Sequence, residues 1–446
     1  MRSMDAGHYD LLLRNAHVLT MDPARTQHAS GFVAVRGSDI AAVGAMDACP
    51  PLPSARQTID CTGCVVLPGL INAHTHLAMA YFRGMADDLP LEVWLEQHIW
   101  PAEAQHLSPQ FVYEATLLGA AECLKGGVTC VNDMYLFAAD SARACADAGL
   151  RAFVGEGVLD APTPSAPTPE HGLRLTRELI AAYAGHPLIT PTVCPHAPYS
   201  CSVELLQELH AVAQEHGLLL HTHLSESFAE GDRIAWAPEV QSPIHALKDI
   251  GVLGPCMIAA HCVWVDDHDL RHMREGGCGV AHCPTSNLKL GNGIAPVHGM
   301  LEAGVSVGVG TDGAASNNNL NLWEEIHLAA LLAKGVYKSP EVVPAPTALS
   351  FATSLGAAAL KADRIGVIAP GMLADLIVVE MDELHLSPLH PHPDAVYSHL
   401  VYSAQAAGVR DTIVGGQVLM RERRLTKLDE AALKARAQQW VNEHMS

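Results

Sequence analysis

Polar residues interrupt apolar runs at four places where chemistry could be done. The runs end in Asn72-Ala73-His74-Thr75-His76, in His221-Thr222-His223-Leu224-Ser225-Glu226, in Ala260-His261-Cys262 and in Gly310-Thr311-Asp312-Gly313. Strand side chains alternate with period two, so His74 and His76 point to one side and both imidazoles can reach one ion. In a chain with 26 histidines, an H-x-H taken alone is either chance or a ligand pair, and it needs partners. A histidine or carboxylate at the end of a buried strand costs several kcal/mol if it is left unpaired. Satisfied core histidines and one buried aspartate would be the bland alternative. Four separate runs that all end this way point instead to a shared metal site with proton-handling groups beside it.

Such groups converge only if the strands are parallel and their ends share a rim. Apolar, β-rich runs recur at 65–76, 128–135, 151–160, 188–196, 218–226, 257–265, 278–284 and 306–312, with helical stretches between them. Ser108-Pro109 offers an N-cap followed by proline at N1 ahead of Phe111 to Leu124, and Gly126-Gly127 closes that helix. Residues 169–184 and 202–216 show helical periodicity, the second stopped by Gly217. Eight strand-helix repeats predict an α/β chain built as a (β/α)8 TIM-type barrel, whose catalytic groups gather at the C-terminal ends of its strands. Short strands at both chain ends, among them 10–19, 31–35, 40–44, 374–379 and 412–418, are too few in either set for a stable sheet. The expectation is one small β-domain made of residues 1–66 and 366–446 around a barrel of 67–365.

Composition narrows the function. The formal net charge of −21 disfavours nucleic acid and anionic membrane surfaces, since both draw affinity from Lys and Arg on phosphates. Although 49% of residues are hydrophobic, no apolar run reaches the roughly 18 residues of a membrane span. Residues 1–10 carry charges and no apolar h-region, so a cytoplasmic address is expected and the 12 cysteines should be reduced. Cys61-Thr62-Gly63-Cys64 has no second C-x-x-C to pair with and is read as structural. A small-molecule substrate follows, with no nucleic acid or membrane partner; a homo-oligomer remains one option for the assembly.

These four segments, beginning from Pro68-Gly69-Leu70-Ile71 and running on to Ala314-Ala315-Ser316-Asn317, resemble the amidohydrolase superfamily over nearly the whole chain. Pro284-Thr285-Ser286-Asn287-Leu288-Lys289-Leu290-Gly291-Asn292-Gly293 and the stretch around Trp94 resemble its branch of aminohydrolases acting on 5'-methylthioadenosine and S-adenosylhomocysteine. The resemblance implies that the end domain is a β-sandwich and that His74, His76, His223 and Asp312 hold one Zn2+ per chain. Binuclear relatives carry a lysine on the fourth strand; residues 188–196 have none, which implies a single metal. It also implies that Glu226 carries a proton from water to the ring nitrogen beside the attacked carbon, that His261 positions the nucleophile, and that Asp312 passes a proton to the departing amine.

Trp94, Glu103 and His196 match substrate-contacting positions, with Glu103 accepting hydrogen bonds from the ribose of a nucleoside. Glu156 stands where relatives that accept S-adenosylhomocysteine carry arginine, and the expectation is that it disfavours that substrate. Methylthioadenosine or adenosine is therefore expected. Deamination of guanine, a pterin or an aminotriazine on the same centre, and a catalytically silent metal-binding barrel, are the alternatives.

Overall fold

A computed structural model describes residues 9–51 and 55–445, so most of the segment read for a leader lies outside the described residues. The apolar runs become strands that pair in chain order. Leu70–His76, Val128–Tyr135, Arg151–Val158, the broken pair Ile189–Pro191 and Cys194–Pro195, Leu220–Leu224, Met257–His261, Gly279–His282, and Ser306–Val309 continued by Asp312–Gly313 are the eight barrel strands. Neighbours run parallel throughout, with Val193 bridging to Leu220 between the fourth and fifth. The ring closes where Asp312 and Gly313 pair with Thr75 and His76. This is the TIM-type barrel expected from eight strand-helix repeats.

The helices begin where their caps predict. Ser108 accepts from the Phe111 amide at 3.2 Å to start Pro109–Lys125, and Ser202 accepts from the Leu205 amide at 3.3 Å to start Val203–His216. Gly217, at φ 63°, ends the latter in the left-handed region that favours glycine. Among the described residues, no helix is long and apolar enough to cross a membrane.

Both chain ends meet in one nine-stranded sheet. Its order runs Arg424–Leu425, Gln417–Arg421, Val409–Val414, Leu376–Glu380, Cys64–Pro68, Tyr9–Leu19, Gln27–Arg36, Asp39–Ala45, with Ala55–Asp60 also on Tyr9–Leu19. Besides the fourth and eighth barrel strands, two further runs read as single strands are divided. The run 65–76 splits at Gly69, where a Cβ would stand 2.0 Å from Thr129 Oγ1, so the chain can pass from the end sheet into the barrel only at glycine. The run 412–418 is a hairpin that turns at Gly415 and Gly416, at φ 53° and 76°.

One buried ion pair joins the end sheet to the barrel. Arg151, which opens the third barrel strand, donates from Nε and Nη2 to the two Asp375 oxygens at 2.6 and 3.0 Å, and the Gly415 amide adds a bond of 2.7 Å to Oδ1. Removing one partner of a buried pair strands the other charge. Arg151→Leu is expected to lower unfolding free energy by about 3 kcal/mol or more in a denaturant titration; a loss below about 1 kcal/mol would show that solvent already screens the pair.

Candidate metal centre and active site

The barrel brings the strand-end groups to one rim. Strand periodicity turns His74 and His76 inward from the first strand; the fifth supplies His223 and the eighth Asp312, all four buried. Their donor atoms all lie within 4.8 Å of one another. His74 Nε2 and His76 Nε2 stand 3.3 and 3.1 Å from Asp312 Oδ1, and His223 Nε2 stands 3.3 Å from His76 Nε2. Ligands held at about 2.0–2.1 Å in a tetrahedron stand roughly 3.3 Å apart, so these three imidazoles and one carboxylate fit a zinc-sized ion.

Charge favours a cation there as well. Burial opposes ionisation of Asp312, but the His74 and His76 imidazoles beside it outweigh that and hold the carboxyl well below its usual range. Burial likewise depresses His76, yet the bond to Asp312 and its charge win and raise the imidazole to about 9, so a metal bound there would displace a proton from His76. Burial pushes His74 down to about 3 and His223 well below its usual value, which keeps both in the neutral form that ligates.

A second ring of partners orients these donors. His74 Nδ1 lies 2.8 Å from His221 Nε2, His223 Nδ1 lies 2.8 Å from the His196 carbonyl, and His76 Nδ1 meets the Met134 carbonyl. With Nδ1 engaged in each case, Nε2 is left to face the ion position. Ser286 and Ser316 donate to Asp312 Oδ2 at 2.6 and 2.7 Å and leave Oδ1 for the cluster. Asp312, Ser225, His261 and Cys262 leave their strands at φ 60°, 53°, 75° and 46°. Left-handed backbone at such residues costs on the order of 1–2 kcal/mol each, and here it coincides with the turn of each strand end into the rim.

Glu226 and His261 adjoin the ligands. Glu226 Oε2 is 3.7 Å from His261 Nε2, and burial raises the Glu226 carboxyl above its usual range. The other Glu226 oxygen accepts from Asn292 Nδ2 at 3.0 Å, and His261 Nδ1 lies 2.8 Å from Asn287 Oδ1. Glu230 accepts from the Ser225 and Glu226 amides at 2.9 and 2.7 Å and so secures the turn that carries Glu226.

A cavity of about 310 Å³ opens onto this rim, and its wall includes His76, His223, Glu226, His261 and Asp312 together with Trp94, Glu103 and His196. Trp94 and Glu103 come from the helical segment 91–106. Glu103 accepts from Tyr135 Oη at 2.7 Å, and burial raises it to about 7. Burial lowers His196 to about 4. Glu156 is placed elsewhere, and the substrate contact expected of it is corrected. Its carboxylate accepts from the Phe137 and Ala138 amides at 3.3 and 2.8 Å, at the start of helix Ala138–Ala148, and from Ser165. Helix-terminal amides attract a carboxylate, so the side chain turns away from the cavity while its neighbour Gly157 lines it.

Several neighbours were missed in sequence: Tyr135, His221, Glu230, Asn287 and Asn292. Tyr135 and His221 lie in predicted strands, and the two asparagines lie inside a quoted motif. Only their contacts mark them out.

The amidohydrolase family model matches residues 65–419. A 5-methylthioadenosine/S-adenosylhomocysteine deaminase of Syntrophobacter fumaroxidans is 46% identical over 427 residues, 96% of each chain. A 5'-deoxyadenosine deaminase of Methanosarcina mazei is 42% identical over 437 residues, 97% of this chain and 98% of its own. Among solved structures, an adenosine deaminase from Xanthomonas campestris with bound zinc superposes with a TM-score of 0.94 at 36% identity, covering 98% of this chain and 99% of its own.

Partners that orient a metal-bound imidazole are typically worth about 10–100-fold in metal affinity. His221→Phe is therefore expected to weaken zinc binding by about that factor in a chelator competition; unchanged affinity would mean that His74 is oriented by packing alone.

Proposed function

The chain belongs to the amidohydrolase family, and on that premise we propose that it hydrolyses the exocyclic amine of an adenine nucleoside, preferably 5'-methylthioadenosine, to ammonia and the inosine analogue. The observation that carries this reading is Glu226, buried beside the cluster of three histidines and one aspartate with one oxygen directed at His261. His74, His76, His223 and Asp312 would hold one zinc, which when bound acts as a Lewis acid and lets water serve as a nucleophile at neutral pH. A cytosolic address belongs to the same proposal, and twelve unbridged cysteines suit a reducing compartment.

The chain's own groups move the protons. Water contributes its oxygen to the ring carbon, and its two protons must reach the ring nitrogen and the leaving amine. Glu226, its carboxyl raised by burial, takes the first proton and delivers it to the ring nitrogen beside the attacked carbon. His261 positions the attacking oxygen. Asp312 accepts the second proton and hands it to the amine, so ammonia leaves neutral. Glu103 has one oxygen held by Tyr135 and keeps the other for the ribose hydroxyls. His196 contacts the bound nucleoside.

Substrate preference rests on the remaining wall. Leu91, Leu95, Trp100, Leu159, Pro162 and Pro164 line the cavity, and among the described residues no lysine or arginine does. An apolar methylthio group suits such a surface, whereas the carboxylate of S-adenosylhomocysteine would give up hydration without a lining lysine or arginine to meet it.

Ammonia release across purine bases, nucleosides, pterins and aminotriazines should be led by 5'-methylthioadenosine, with kcat/KM for S-adenosylhomocysteine at least about tenfold lower; comparable values for the two would overturn the preference. Glu226→Gln should abolish nearly all turnover while the zinc content stays unchanged, and substantial residual activity would remove Glu226 from the mechanism.

A further inference from the structure

Glu226 and His261 come from the ends of different strands, the fifth and the sixth, yet both are gripped by one segment after the seventh, the short helix Pro284–Lys289 and the loop that follows it. Asn292 Nδ2 donates to Glu226 Oε1 at 3.0 Å, and Asn287 Oδ1 receives His261 Nδ1 at 2.8 Å. The two asparagines are tied to each other by the Asn292 amide on the Asn287 carbonyl at 2.8 Å. Trp264 Nε1, from the loop after the sixth strand, donates to the Asn292 carbonyl at 2.7 Å. Gly291 and Gly293 flank Asn292 at φ 71° and 119°, and a β-carbon at Gly293 would stand 3.1 Å from Val263. Backbone of that shape favours glycine on both sides and holds the asparagine side chain against the carboxylate. Asn292 is buried and does not line the cavity, so it acts through Glu226.

We propose that Asn292 is a positioning residue of the reaction: it occupies Glu226 Oε1 and thereby leaves Oε2, on the His261 side, as the oxygen that carries the transferred proton. A carboxylate without this donor can rotate and present either oxygen. The inference rests on the proton-carrying role of Glu226.

The test compares Asn292→Ala, Asn292→Asp and Trp264→Phe with Glu226→Gln in the zinc-loaded full chain, with 5'-methylthioadenosine as substrate. Loss of a hydrogen bond to a charged group predicts a fall in kcat of about tenfold or more for Asn292→Ala, with KM within about threefold and zinc content unchanged. Asn292→Asp, equal in size but set against a second carboxylate, should fall further. Trp264→Phe, which keeps the asparagine and loses only its anchor, should fall less than Asn292→Ala. Near-normal kcat in both Asn292 variants, or an aspartate no worse than alanine, overturns the inference while an inactive Glu226→Gln keeps the role of Glu226. An active Glu226→Gln removes both.

Discussion

Burial of the Asp312 carboxylate is the constraint on which the remaining architecture depends. An ionised group 6% exposed in a barrel mouth is tolerable only with donors on every side, and it finds two serines, two imidazoles and the place of a cation. Those donors come from the first, seventh and eighth strands and the loops that follow them, so they converge only if the eighth strand lies against the first. The same region closes the ring. Thr75 Oγ1 donates to the Asp312 carbonyl at 3.1 Å, and Asn72 and Thr311 exchange bonds of 2.8 and 3.1 Å just beneath it. Barrel closure thus also sets Asp312 against His74 and His76.

The site is built in layers of decreasing regularity. The ligands sit on strands, where pairing fixes their direction, and each is turned by a second group that blocks its other donor or acceptor atom. Glu226 and His261, the further groups of the proposed reaction, sit one step further out at the ends of the fifth and sixth strands, where Ser225 and His261 take left-handed backbone, and are held by the segments beyond. Glu230 grips the turn of the fifth strand, and Asn287 and Asn292 reach back from beyond the seventh. A metal centre needs fixed distances between ligands, which strands supply. Proton transfer needs a particular oxygen facing a particular atom, and side-chain donors in a loop can set that.

The strand-level design was legible in the sequence because it follows from two periodicities. Alternation put His74 and His76 on one face, and eight apolar runs at regular spacing implied a closed parallel barrel that would bring His223, Glu226, His261 and Asp312 to the same rim. What escaped was set by contacts between distant segments. The run 65–76 reads as one strand because Gly69 looks ordinary until Thr129 is beside it. Glu156 occupies a strand-end position like the true rim residues, and nothing local reveals that the amides opening helix Ala138–Ala148 will capture it. Asn287 and Asn292 lie within the segment 284–293, but no spacing rule says that their two side-chain amides reach an imidazole and a carboxylate from the ends of two other strands.

The metal cluster and its proton carriers define a reaction type; the remaining wall decides which molecule undergoes it. Besides the histidines, the ionisable side chains that line the cavity are Glu103, Glu226, Asp312 and two tyrosines, and none of the described lysines or arginines lines it. A 5'-phosphate would meet carboxylates and apolar side chains, with no guanidinium or ammonium on the described wall to pair with it. In the reaction proposed above, a neutral nucleoside would avoid that cost, offer its diol to Glu103 and leave its 5' end to the apolar part of the wall. On the function proposed above, a wall without a lysine or arginine would favour nucleosides over nucleotides.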